Sequence, residues 1–249
     1  MSFLRVRVHP GRAGSRENAS GRAVAGGQVT PSTTEIPLWE HPVLRAAAGE
    51  TLRPGGFAIT DRAAALIGLV PGWRVLDVGS GLGVTVDRLR ARFGVESWGV
   101  ELSGSQIARG DARHVIQARG DVLPFADGTF DAVFCECVLS LFENPRQGLA
   151  EFHRVIRPQG VVVLADLYAE GRIESSGNSC GERAVSLATT RTQIEACGFS
   201  VRLVEDHTDQ LKNLAAKLVF AGDHRAGGCG CGLGYYLMIA QKEGEPHGG

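Results

Sequence analysis

From Pro71 onward, short apolar runs rich in β-branched residues alternate with stretches in which apolar side chains recur every three or four positions. The runs Arg74–Val78, Ser97–Leu102, Val115–Ala118, Asp131–Cys135, Val161–Asp166, Phe199–Glu205 and Gly234–Gln241 read as strands. Helical spacing connects them in Thr85–Phe93, where Val86, Leu89 and Phe93 share a face, and in Gly104–Arg109, Arg146–Ile156, Thr190–Cys197 and about 209–221. Gly198 is placed to end the fourth of these as a C′ glycine, and Pro158–Gly160 reads as a turn. Nearly uninterrupted apolar strands suit a parallel sheet covered on both faces. The alternation predicts an α/β fold: a doubly wound, mostly parallel seven-stranded sheet with its ligand at the carboxyl ends of the strands.

Upstream of the alternation, 42–48 and 60–69 read as two helices separated by the turn Arg53–Gly56, with Thr60 and Asp61 as N-cap residues of the second. Before that, Arg5, Arg7, Arg12, Arg16 and Arg22 are accompanied by a single acid, Glu17, ahead of residue 30. Residues 1–35 therefore read as a disordered basic tail, with a transit peptide as the alternative; the apolar segment of a secretory signal is absent. The expected organisation is one domain over 36–243, containing a Cys/Gly-rich loop near 222–233, and a flexible terminus over 244–249. No internal repeat is found.

Composition narrows the function classes. With 43% hydrophobic and 21% charged residues in 249, the chain has the make-up of a globular protein able to bury a core without staples. A formal net charge of −1 gives no basic surface for nucleic acid or membrane, and no apolar run approaches the ~18 residues of a membrane span. A cytoplasmic protein without nucleic-acid or membrane partners is expected. In that compartment the six cysteines, Cys135, Cys137, Cys180, Cys197, Cys229 and Cys231, are expected as thiols, as metal or metalloid ligands, or as small buried residues rather than as disulfides.

The densest chemistry lies in Val75-Leu-Asp-Val-Gly-Ser-Gly-Leu-Gly83, a strand running into a glycine turn at the mouth of a helix. Gly79, Gly81 and Gly83 allow unusual backbone angles and close approach to a ligand, with Ser80 between them. The spacing differs from the G-x-G-x-x-G of dinucleotide-binding loops. Asp77 would be awkward beside a pyrophosphate but suits a ligand carrying an ammonium and a sulfonium. Glu101 and Leu102 close the second strand, where an acid can accept hydrogen bonds from both hydroxyls of a ribose. Asp121 and Val122 follow the third strand, where a carboxylate can meet an adenine amino group.

Taken in order, these segments resemble the class I S-adenosylmethionine-dependent methyltransferases over roughly residues 57–205. Val75–Gly83 resembles their first motif, Glu101 their ribose acid and Gly120-Asp121 their adenine-binding step. Phe152–Gly160 resembles the helix and turn before their fifth strand, with Gln159 where glycine is commoner. The resemblance implies a Rossmann-like methyltransferase fold, S-adenosylmethionine as cofactor, and Asp77, Gly79, Ser80, Gly81, Gly83, Glu101, Leu102, Asp121, Val122 and Glu136 as cofactor-binding residues.

The acceptor would lie over Cys135–Phe142. For an oxygen or nitrogen nucleophile, Glu136 and His153 are the available bases, although His153 shares a helix with Leu149, Phe152 and Ile156 and suits a structural place better. Cys137-Val-Leu-Ser-Leu and Ser179-Cys180-Gly-Glu also resemble thiol-bearing segments of arsenite methyltransferases. That resemblance implies Cys137 and Cys180 as catalytic thiolates holding a metalloid, with a thiol reductant as partner; Cys229 and Cys231 add two possible ligands. Ser140 stands where that family has asparagine, and its additional upstream cysteines and carboxy-terminal domain have no counterpart here. Cys135 and Cys197 read as buried residues. Three expectations stand: methylation of a thiol-bound metalloid such as arsenite, methylation of a small organic molecule at O, N or C, and a non-catalytic cofactor- or metal-binding protein.

Overall fold

In the strands the apolar runs divide their side chains between two faces. Along Phe130–Glu136 (β4), Val133 and Cys135 pack on one side of the sheet while Ala132 and Phe134 pack on the other. The same period-two division holds in Ile156–Ala169 (β5), Val162 and Leu164 against Val163 and Ala165. In Leu233–Lys242 (β7) it separates Tyr236, Met238 and Ala240 from Tyr235, Leu237 and Ile239. Each face carries its own helices, which is why the middle of each of these strands is apolar on both sides.

The computed structural model describes residues 38–110, 113–170, 181–221 and 232–244. Cys180, Cys229 and Cys231, the basic segment 1–35 and most of the Cys/Gly-rich loop lie outside the described residues. The remaining strands are Arg74–Val78 (β1), Glu96–Glu101 (β2), Val115–Gln117 (β3) and Phe199–Asp206 (β6). They form one seven-stranded sheet in the order β3-β2-β1-β4-β5-β7-β6. The pairs from β3 to β5 are parallel, and β7 runs antiparallel to both β5 and β6.

One face is covered by Pro145–Val155 (α5) and Leu187–Glu195 (α6), through Leu149, Phe152, Val155 and Ile194. Phe57–Leu66 (α2) and Val84–Phe93 (α3) cover the other, through Ile59, Ala63, Ala64 and Leu89. Gly104–Arg109 (α4) joins β2 to β3. Pro42–Ala48 (α1) and Thr208–Phe220 (α7) meet in a small separate cluster of Leu44, Leu214 and Leu218.

Two local expectations are corrected. α2 begins at Phe57 behind the Pro54-Gly55-Gly56 turn, whose two glycines take positive φ, so Thr60 and Asp61 lie within the helix rather than capping it. Thr60 instead buries its hydroxyl in an ion-pair network, and Asp61 receives both ends of the Arg88 guanidinium. The Pro158–Gly160 turn is a kink within β5: Gln159 is left-handed at φ 65°, and the register against β4 shifts between Phe130 and Ala132.

Candidate active site

β1 ends in a loop folded back over its neighbour, with the amides of Gly79 and Ser80 both donating to the Val100 carbonyl at 2.7 and 3.1 Å. Two of its glycines are needed for different reasons. At Gly79 (φ 75°) a Cβ would stand 2.2 Å from the Val138 side chain, whereas at Gly81 (φ 54°) it would meet nothing within 4 Å and only the backbone angle requires glycine. Gly83 caps α3 in the left-handed conformation. Glu101 is fixed across this loop, one carboxylate oxygen accepting from the Gly81 amide at 2.9 Å and the other from the Ser103 amide at 2.7 Å.

A cavity of about 540 Å³ opens over the carboxyl ends of the strands. That is the size range of a site for a cofactor-sized molecule. Its wall follows the sheet order: Ala118–Asp121 beyond β3, Val100–Ser103 at β2, Val78–Gly81 at β1, Glu136–Val138 at β4 and Leu167 on β5. The segment 39–54 and α7 form a roof through Leu44, Leu52, Leu211, Leu214 and Leu218. The roof is fastened beside β2, where Glu40 accepts from the hydroxyls of Ser103 and Ser105 and Gln106 donates to the Trp39 carbonyl.

Among the sequence-predicted cofactor residues, Gly79, Ser80, Gly81, Glu101, Leu102, Asp121 and Glu136 line this cavity. Asp77 is buried in β1 beneath it, Gly83 sits behind the loop, and Val122 is 55% exposed and outside the lining. Asp121 already holds a partner: Arg119 grips its carboxylate with two bonds of 2.8 and 2.7 Å, which keep it below the usual carboxylate range.

Glu136 is engaged too. Its carboxylate forms a buried ion pair of 2.8 Å with Arg53 and accepts from the Thr60 hydroxyl at 3.1 Å, while Arg53 also donates to the hydroxyls of Thr60 and Thr85. Burial pushes Glu136 up, against the pull of Arg53 and Thr60. Burial acts most strongly against the charged form of Arg53, but Glu136 together with Tyr235, Asp77 and Cys137 outweighs it and holds the guanidinium above its ordinary range. Asp77 is pushed up to about 7, chiefly by burial and then by the like charge of Glu136, with Arg53 opposing. A cationic ligand placed near these acids would favour their ionised forms.

Cys137, directly after β4, lines the cavity with φ 57°, a conformation rare for any residue with a Cβ. Its thiol donates to the Tyr235 hydroxyl at 3.7 Å, and burial holds that phenol well above its usual range. Gly181, the next residue after Cys180, also lines the cavity. His153 lies away from it, stacked edge-on against Phe199. Cys135 is buried in the core, and Cys197 is half-buried with its thiol on the Arg146 carbonyl. Arg53, Thr60, Thr85 and Tyr235 escape sequence reasoning: an arginine in a turn, two helical threonines and a strand tyrosine carry no motif.

A methyltransferase domain family model matches residues 76–164. An uncharacterized protein of Haemophilus influenzae is 30% identical over 162 residues, 60% of this chain and 64% of that protein. The demethylmenaquinone methyltransferase of Renibacterium salmoninarum is 36% identical over 104 residues, 40% and 44% of the two chains. The chain thus spans less than two thirds of the length of these relatives.

Among solved structures, the [4+2]-cyclase SpnF is similar at a TM-score of 0.62 and 21% identity, over 86% of this chain and 88% of that one. Phosphoethanolamine N-methyltransferase 2 of Haemonchus contortus, in complex with S-adenosyl-L-methionine, is similar at 0.67 and 18%, over 81% and 56%. At these identities the likeness is one of fold, and the cyclase shows that the fold alone does not fix a reaction. Residues 76–164 thus match the methyltransferase domain model, within a fold shared with solved methyltransferase structures.

Proposed function

We propose that this protein transfers a methyl group from S-adenosylmethionine to a small molecule held under the roof of the cavity. The observation that carries this reading is the cavity itself, which runs from the Glu101 loop at β2 to the Cys137 end of β4 and continues to β5. The residues present suit the cofactor. Gly81 offers backbone with open space beside it, and the Asp77, Glu101 and Glu136 carboxylates favour a cation. In this reading Gly79, Ser80, Gly81, Glu101 and Leu102 hold the nucleoside half, with Asp121 beside the base. Asp77 acts through its charge from beneath the loop.

The bound cofactor supplies an activated methyl group on a sulfonium. The protein's part is to orient the acceptor and exclude water, and alignment alone is worth as much as roughly 7–11 kcal/mol in well-positioned cases. Glu136 is committed to Arg53 and Thr60, so it serves better as a positioning group than as a base. For a hydroxyl or amine acceptor, the polar hydrogen-bonding groups at that end of the cavity include the Cys137 thiol.

Thermal stabilisation tests the central reading. S-adenosylmethionine at a hundredfold excess over its dissociation constant is expected to add about 2.7 kcal/mol, and NAD to add nothing. The reverse result would sink it.

A narrower reading, methylation of thiol-bound trivalent arsenic, is favoured by the cavity-facing Cys137 and by the place of Gly181 in the wall, next in sequence to Cys180. Soft thiolates suit a soft acceptor whose own lone pair attacks, with glutathione as the reductant class involved. Methyl transfer to arsenite in the presence of glutathione should then fall sharply in both Cys137→Ser and Cys180→Ser. Full activity in both variants, or transfer only to organic acceptors, leaves the broader reading and removes this one.

A further inference from the structure

The two ends of the cavity differ in chemistry. Toward β2 and β3 the wall is polar and acidic, whereas under α1 and α7 it is made by Leu44, Leu52, Leu211, Leu214 and Leu218, facing Leu167 of β5. Three of these leucines, Leu44, Leu214 and Leu218, form the cluster that joins α1 to α7. The apolar end of the cavity is thus continuous with the packing of the roof. A polar or charged acceptor seated there would lose its hydration with little to replace it.

The charges that do line the cavity are unbalanced. Among the described residues, the lining cations are Arg53 and Arg119, each paired with an acid, Glu136 at 2.8 Å and Asp121 at 2.7 Å. Glu40, Glu50, Glu101 and Glu143 add further carboxylates to the wall. Arg183, behind the wall, spends its guanidinium on the Leu141 and Phe142 carbonyls. An anionic acceptor at the apolar end would lose its hydration among leucines, with both lining cations already paired and carboxylates in excess along the rest of the wall, which disfavours it.

Building on the methyltransferase reading above, we propose that the acceptor site takes an uncharged, mostly apolar small molecule, and that α7 sets this selectivity through Leu214 and Ala215. Leu214 is a buried roof residue, and Ala215 is its half-buried neighbour on the cavity wall.

The test compares 2-naphthol with its anionic analogue 6-hydroxy-2-naphthoate, with each probe's binding followed by fluorescence in the presence of saturating S-adenosylhomocysteine. The uncharged probe is expected to bind at least roughly tenfold more tightly. Leu214→Lys is expected to bring the two affinities together by favouring the anion, and Ala215→Lys, at a position better able to accept a long side chain, provides the same readout if the first variant does not fold. Equal or tighter binding of the naphthoate, no binding of either probe, or an unchanged ratio in the folded variants overturns the proposal. Failure of S-adenosylmethionine itself to stabilise the protein is a separate outcome, which defeats the underlying reading whatever the probes do.

Discussion

Asp77 and Glu136 show how burial changes what an acid in a motif can do. Both lie on strands at the centre of the sheet, where desolvation disfavours their charged forms and Glu136 further raises Asp77. Arg53 relieves this through Glu136, and it also donates to the hydroxyls of Thr60 and Thr85. The sign of the pH effect follows from Asp77, whose folded value of about 7 lies above the ordinary 3.8. Between those values the folded state binds the proton that the unfolded state has released, so stability falls as pH rises through that window. Asp166, pushed by burial to about 6, contributes in the lower part of it. Asp77→Asn should make the decline of unfolding free energy between about pH 5 and pH 7 shallower, by at most about 1.4 kcal/mol per pH unit. Urea titrations across that range check it, and an unchanged slope would assign the effect to Asp166 and Glu136 alone.

At the scale of elements, the glycines and their exceptions decide how the strands enter and leave the sheet. Gln159 occupies a left-handed position where β5 kinks, held by Gln241, whose side-chain amide donates to its carbonyl at 3.0 Å and its side chain at 3.1 Å. The side chain is solvent-exposed, so glycine would remove backbone strain while losing only that surface contact. Gln159→Gly should therefore stabilise the protein by about 0.5–1 kcal/mol, read as a higher urea midpoint at constant slope. The departure from the commoner glycine was visible in the sequence, but its backbone angle was not. The start of α2 makes the same point. A Thr-Asp pair has the chemistry of an N-cap, yet the Pro-Gly-Gly turn before it starts the helix three residues earlier and turns Thr60 inward.

For the whole molecule, the strength of the core and the weakness of the roof have separate consequences. β4, β5 and β7 are packed on both faces, whereas α1 and α7 are joined to each other through three buried leucines, and the segment before α1 is tied beside β2 by the Glu40 and Gln106 contacts. Opening of the roof should need less free energy than global unfolding. Hydrogen exchange is expected to be faster in α1 and α7 than in β4 and β5, and S-adenosylmethionine should slow it in the roof. Equal protection of roof and core without ligand would mean that the roof does not open on its own.

The sequence by itself determined the seven strands, their helices and the Gly79–Gly83 loop with Glu101 opposite, because period, strand hydrophobicity and glycine demand are local properties. It also named Cys137 and Glu136 as residues near the site. What only the tertiary structure decided is how those groups are engaged. Arg53 reaches Glu136 across 83 positions of sequence, Tyr235 meets Cys137 from another strand, and α1 and α7 close over the cavity from opposite ends of the domain. Such partners are chosen by the crossing of the chain and the exclusion of water, for which a single sequence holds no local signal.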